Sequence, residues 1–234
     1  MAVNAPTLFY VNVPAFFEYI WVAVRDPRVE VRRTAAEAMA ACLVLIYRRH
    51  RHRVQWYCKI YGQVQKGFES REVDSIHGSL LVTGELLQHT GEFMFPRFRE
   101  VCDTVLQYKD SRDKLVRRTV CSLLPCLAKF CPDAFVRGYL DICLEYLIQT
   151  VSQASERSTA YMSLGRLSIA VGHHIKSKLE TIVNLAKDGM NAPRRNKFFC
   201  PEALNCVAYL AQAVGDDLLP YMDGLLEQMM SGTD

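Results

Sequence analysis

Arg25-Asp-Pro-Arg-Val-Glu-Val-Arg-Arg-Thr-Ala-Ala-Glu-Ala-Met-Ala-Ala-Cys-Leu43 reads as a tight turn followed by a helix. Pro27 disfavours helical geometry at Asp26 and so stops what precedes it. The same proline suits the first turn of a new helix, where its missing N–H costs nothing. Val31, Ala35, Ala38, Met39 and Cys42 then recur at helical spacing and form one apolar face. Small residues on that face let another helix approach closely.

The stretch repeats along the chain. Lys109-Asp-Ser-Arg-Asp-Lys-Leu-Val-Arg-Arg-Thr-Val-Cys-Ser-Leu-Leu-Pro-Cys-Leu127 carries the Val-Arg-Arg-Thr word again, 85 residues on. Arg32 matches Arg117, Thr34 matches Thr119, and Ala38-Met39 matches Leu123-Leu124. Asp74-Ser-Ile-His-Gly-Ser-Leu-Leu-Val-Thr-Gly-Glu-Leu-Leu87 is a copy between them, and copies beginning at Arg157 and Cys200 follow. Spacings of 45, 40, 40 and 43 residues fit a HEAT-type helical-pair repeat. The expected fold is all-α: an α-solenoid of about five pairs plus one unpaired helix. No stretch alternates convincingly with period two, so no sheet is expected.

The expected arrangement is one solenoid segment over 1–234, with repeats at 13–48, 53–90, 92–131, 133–172 and 174–214 and a half repeat at 216–230. Residues 1–12 read as a lead-in, because Pro6 and Pro14 interrupt helix. Single first-layer (A) helices are expected at 14–24, 54–69, 93–108, 134–149, 175–187 and 216–230. Second-layer (B) helices are expected at 28–47, 75–89, 114–130, 155–171 and 199–213. Pro125 should kink the third of these. Val54, Tyr57, Tyr61, Val64 and Phe68 form one stripe, and Phe135, Tyr139, Ile142, Tyr146 and Leu147 another; both read as packing faces. Trp21 and Trp56 read as core residues. The last helix carries Leu218, Leu219, Leu225 and Leu226 with no partner helix after it, so the chain reads as a piece of something longer.

Half of the 234 residues are hydrophobic and 23% are charged, which suits a globular chain with a real core. A formal net charge of +3 does not by itself imply a polyanionic partner. The nine cysteines are odd in number and form no Cys-x-x-Cys pair, as buried reduced thiols would. No secretory signal is recognised at the start, and the longest apolar runs are about half a membrane span. There is no Gly-rich phosphate loop, no Gly-x-Ser-x-Gly elbow, no His-Glu-x-x-His and no Asp-Phe-Gly. No catalytic residue, cofactor or metal ligand is therefore assigned. His173-His174 reads as a polar turn, because adjacent helical residues do not face one way. Arg48, Arg49, Arg51 and Arg53, with His50 and His52 between them, form a candidate anion or partner patch. The bland alternative is a solvated helix end, where cations favour the macrodipole. Arg194-Arg-Asn-Lys197 is a second, weaker patch.

Phe16-Phe-Glu-Tyr-Ile-Trp-Val-Ala-Val-Arg-Asp-Pro27, Gln55-Trp-Tyr57, Gln65-Lys-Gly-Phe68 and Ile76-His-Gly-Ser-Leu-Leu81 go beyond a bare HEAT framework. With Leu123-Leu-Pro-Cys-Leu127 and Leu164-Gly-Arg-Leu-Ser-Ile-Ala-Val171, they resemble the N-terminal HEAT region of the TOR (target of rapamycin) protein kinases. One departure is the short Thr90-Gly91 link, where that family has a longer insertion. The resemblance implies a non-catalytic scaffold that helps shape a serine/threonine kinase complex in nutrient and growth signalling and docks adaptor subunits. It implies protein partners, no small-molecule substrate and no transmembrane segment. It implies a place in the cytoplasm, with endomembrane surfaces reached through the complex, or the nucleus, as alternatives. It also implies a ladder of turn aspartates and second-layer arginines: Asp26, Arg32, Asp110, Arg117 and Arg157, with His77 in the arginine's place in the second copy. The alternatives to a kinase segment are a free-standing HEAT adaptor, such as a transport or phosphatase scaffold, and a nucleic-acid-binding solenoid using Arg48–Arg53.

Overall fold

A computed structural model describes residues 6–49, 53–190 and 200–231. Every regular element among them is helical: α1 (Pro6–Val11), α2 (Val13–Val24), α3 (Val29–Arg49), α4 (Arg53–Glu69), α5 (Val73–His89), α6 (Phe98–Gln107), α7 (Lys114–Phe130), α8 (Pro132–Gly138), α9 (Leu140–Thr150), α10 (Arg157–Val171), α11 (Leu179–Met190), α12 (Glu202–Val214) and α13 (Met222–Ser231). Three short 3-10 segments, Gly91–Arg97, Gly172–Lys178 and Gly215–Tyr221, lead into α6, α11 and α13. The fold is all-α, of the α-solenoid class. It divides into two compact units, Met1–Thr119 and Val120–Asp234, and the division falls inside α7.

In the first unit α2 packs on α3, α4 on α5, and α3 along α5. In the second unit α9 packs on α10, α11 on α12, and α10 along α12. Each core is therefore a strip between two helix layers. On α3 the buried residues are Arg32, Ala35, Ala36, Met39, Cys42, Leu43 and Ile46. Val31 and Ala38, expected on that face, are only half-buried. The buried arc is wider than one stripe because α3 is covered by α2 on one side and α5 on another. Close approach needs small residues at the crossing. A Cβ on Gly165 of α10 would stand 2.6 Å from the Tyr209 ring and 3.1 Å from Cys206 Cα on α12. Buried hydroxyls on these helices are satisfied locally: Thr83, Thr90, Thr150 and Ser168 each donate to the carbonyl four residues back.

The first-layer helices depart from expectation. The lead-in is helical, with Pro6 opening α1 and Pro14 in the first turn of α2, where proline is tolerated. The helices expected at 93–108, 175–187 and 216–230 are each a 3-10 segment followed by an α-helix. The one expected at 134–149 is the pair α8 and α9. α7 runs unbroken through Pro125. Three glycines explain the 3-10 entries. Gly91, Gly172 and Gly215 have φ of 52°, 55° and 54°. Gly172 and Gly215 also close the preceding helix, at ψ of −131° and −123°, a region that glycine alone enters readily. The third residue after each glycine, Met94, Ile175 or Leu218, is buried. The turn thus plugs the layer as it reverses. Two expected packing residues face outward instead, Val54 and Ile142, at 56% and 54% exposure.

Gly172→Ala should cost about 1–3 kcal/mol of stability, because alanine cannot hold that backbone without strain. Gly138→Ala, at a helix end with open space around its Cβ, should change stability by less than about 0.5 kcal/mol. Urea denaturation of both variants checks this; equal losses would refute the strained-turn account.

Candidate partner-docking surface

The ladder arginines bind backbone carbonyls of their own turns, and Arg32 also reaches the next helix pair. Arg32 is 2% exposed. Its Nη1 donates to the carbonyls of Asp26 and Pro27 at 2.7 and 3.0 Å, and pairs with the Asp74 carboxylate of the next helix pair. Its Nε donates to His77 Nδ1 at 3.0 Å. Arg117 Nη1 donates to the carbonyls of Ser111 and Arg112 at 2.6 and 3.0 Å. Arg157 donates from Nε to Val151 at 2.9 Å and from Nη2 to Ser152 at 3.1 Å. In all three, the acceptors lie six and five residues before the arginine. One guanidinium closes each turn onto its own second-layer helix, using carbonyls that helix ends leave open. The carboxylates behave differently. Asp26 binds its neighbour Arg28, whose hydrogen bonds and charge hold its carboxyl down at about 2. Asp110 pairs with Lys109.

His77 shows why the second copy lacks the arginine. It accepts a hydrogen bond from Arg32, so its Nδ1 must be unprotonated. Burial, then the charges of Arg32 and Arg33, push it down to about 4. A second guanidinium here could not accept the Arg32 Nε–H and would place two like charges side by side.

The outward-facing side of the first unit carries a groove. Residues of α2 and α4 line a cavity of about 520 Å³, among them Pro14, Phe17, Trp21, Trp56, Lys59 and Gln63. Phe17 stacks on Trp56 with centroids 5.0 Å apart, and Lys59 Nζ sits 4.7 Å over the indole. Trp21 is buried as expected, whereas Trp56 is half-buried at the groove. On the same helix Tyr19 and Val22 are 70% and 73% exposed. Phe17 and Trp56 are 39 residues apart, close to the repeat length; that spacing is the signal by which sequence could have paired them.

Of the arginine patch, Arg48 and Arg53 are exposed, and the Arg53 guanidinium lies 5.1 Å over the Tyr47 ring. Arg49 ends α3. Arg51, His50 and His52 lie outside the described residues, as does Arg194–Lys197. His173 and His174 are exposed, ring to ring at 4.1 Å. No described helix is long and apolar enough to cross a membrane.

No family model matches the chain. Known proteins match it from end to end. The chain is 45% identical over 234 residues to the serine/threonine-protein kinase TOR of Oryza sativa subsp. japonica. The chain is homologous to one segment of the TOR kinases. It is 43% identical to the TOR of Arabidopsis thaliana and 32% identical to the tor1 kinase of Schizosaccharomyces pombe, over 100% and 99% of its own length. It spans only 9%, 9% and 10% of those three proteins. The kinase activity in their names therefore belongs to far longer chains, and the features described above are those of this TOR-like segment alone.

Arg32→Met should cost about 3 kcal/mol, because it strips a buried partner from two carbonyls, a carboxylate and an imidazole. Arg32→Lys should lose nearly as much, since one ammonium cannot span four acceptors. A loss below about 0.5 kcal/mol in urea denaturation would sink the clasp. His77 makes a second prediction. Its folded value lies below the ordinary 6.5, so its stabilisation is fully present above pH 6.5 and fades as pH falls towards 4. The fade should be on the order of 3 kcal/mol and should flatten in His77→Gln, whose amide still accepts from Arg32. Parallel slopes for the two proteins would refute it.

Proposed function

We propose that this chain is a non-catalytic HEAT-repeat scaffold segment of a TOR-type serine/threonine kinase, and that it docks adaptor subunits of the kinase complex. The end-to-end match to TOR at 45% identity carries the reading. On this reading residues 1–234 form one repeat array, divided at the repeat boundaries given above, and the protein works in the cytoplasm within its complex. The turn-closing arginines, Arg32, Arg117 and Arg157, hold the repeats and take no part in chemistry. Docking falls to the outward side of α2 and α4. Aromatic side chains framing a concave apolar surface, with polar groups at its edge, are what protein partners bury. The Phe17–Trp56 stack supplies the concave part, and α2 exposes Tyr19 and Val22 outside the groove lining.

The test is capture of TOR-complex subunits by the full chain, compared with the Tyr19→Ser, Val22→Ser double variant. Both residues are exposed, so the melting temperature should not change. Capture should fall at least about fivefold, the equivalent of roughly 1 kcal/mol. Undiminished capture would move docking off this face; absence of any such subunit from the wild-type capture would overturn the scaffold reading itself.

A further inference from the structure

A second cavity, of about 460 Å³, opens in the first unit where the end of α3, the start of α4 and the Gly91–Arg97 segment meet. Its chemistry differs from that of the groove. Tyr57 lines it and is 1% exposed, and its buried hydroxyl has no hydrogen-bond partner among the described residues. A buried hydroxyl left unmatched is unfavourable, and native structures rarely keep one without a use. Two guanidiniums share the lining. Arg53 lies over Tyr47, and Arg97 sits 4.0 Å over the Phe93 ring while donating to the Phe93 carbonyl at 2.7 Å. Stacking uses their faces and leaves in-plane N–H groups available. Neither forms an ion pair with a carboxylate among the described residues. Arg53 also opens α4, the end of a helix that favours negative charge.

The Tyr57 hydroxyl and the remaining N–H groups of Arg53 and Arg97 line one cavity and call for an oxyanion. The walls decide which kind. Tyr47, Phe93, Val54 and Pro96 are apolar or aromatic, and Glu92 is on the same lining. A single negative charge tolerates that glutamate better than a phosphate dianion would. A hollow of this size takes a few side chains, and the chain's small net charge of +3 does not by itself call for a polyanion. We propose that this cavity receives an acidic side chain of a partner polypeptide. The aspartate or glutamate carboxylate is held by Arg53, Arg97 and the Tyr57 hydroxyl, and an adjoining apolar residue rests on Tyr47 and Phe93. The site is separate from the α2–α4 groove and does not depend on which kinase complex the chain serves.

The full chain is panned against a displayed library of random octapeptides. Recovered peptides should carry an Asp or Glu beside an aromatic or aliphatic residue. Their affinity, read by fluorescence anisotropy, should fall about tenfold or more in Arg53→Gln and in Arg97→Gln, the effect expected for a charge-assisted pair. Changing the peptide's acid to its amide should cost as much. Tyr57→Phe is the discriminating variant: it should weaken binding severalfold without lowering the melting temperature of the free protein, because the hydroxyl it removes has no partner there. The proposal is overturned if no peptide is enriched, if the enriched peptides lack an acid, or if Arg53→Gln and Tyr57→Phe bind as wild type. Tighter binding of inorganic phosphate, oligothymidylate or phosphatidylserine vesicles than of any acidic peptide, with the same losses on mutation, would also overturn it.

Discussion

A guanidinium folded back onto the carbonyls of its own turn is the constraint on which three of the helix pairs depend. Peptide carbonyls at the end of a helix have no intrahelical donors and cannot be buried unmatched. Arginine meets that need, because its planar fork offers several donors in fixed directions. Arg32, Arg117 and Arg157 adopt the same register relative to their turns, six and five residues on. The charge stays acceptable because every carbonyl dipole it meets points the right way. Where two copies touch, one arginine gives way to a neutral acceptor: His77 takes the hydrogen bond that Arg32 has left to give.

The two layers solve their reversals differently. The second-layer helices are long and unbroken, α7 even through Pro125. Four of the first-layer elements are split, three of them entered through a glycine whose backbone no other residue adopts readily. The short 3-10 turn that follows drops one apolar side chain into the core and turns the next stretch outward. The first layer is thereby left with ends, gaps and exposed side chains, which a continuous helix would have closed. The Tyr57 cavity lies beside one such turn, the Gly91–Arg97 segment.

That division bears on function. A homologous segment covering about a tenth of the TOR kinases has no need to carry their chemistry, and its residues are spent on geometry and surface. The buried set holds the pairs together. On the proposed reading, the exposed Tyr19 and Val22 of α2, the half-buried Trp56, and the two arginines Arg53 and Arg97 are left for recognition.

The sequence by itself determined the class of fold. Helical periodicity and a repeated word at near-constant spacing force helix pairs, because one apolar stripe per helix can be buried only against a neighbour. It also marked Arg32, Arg117 and Arg157 as equivalent, since the same word surrounds the first two and the spacing reaches the third. It did not show what they bind. Their acceptors are backbone carbonyls, which every residue has, so no residue type could betray them. The 3-10 turns were legible in principle, in Gly91, Gly172 and Gly215 at intervals of 81 and 43 residues, but only φ shows that a glycine is required rather than tolerated. Which way Trp56, Val54 and Ile142 face was decided by tertiary structure alone. An apolar stripe says that a side of a helix is buried, whereas the width of the buried arc depends on how many neighbours cover it.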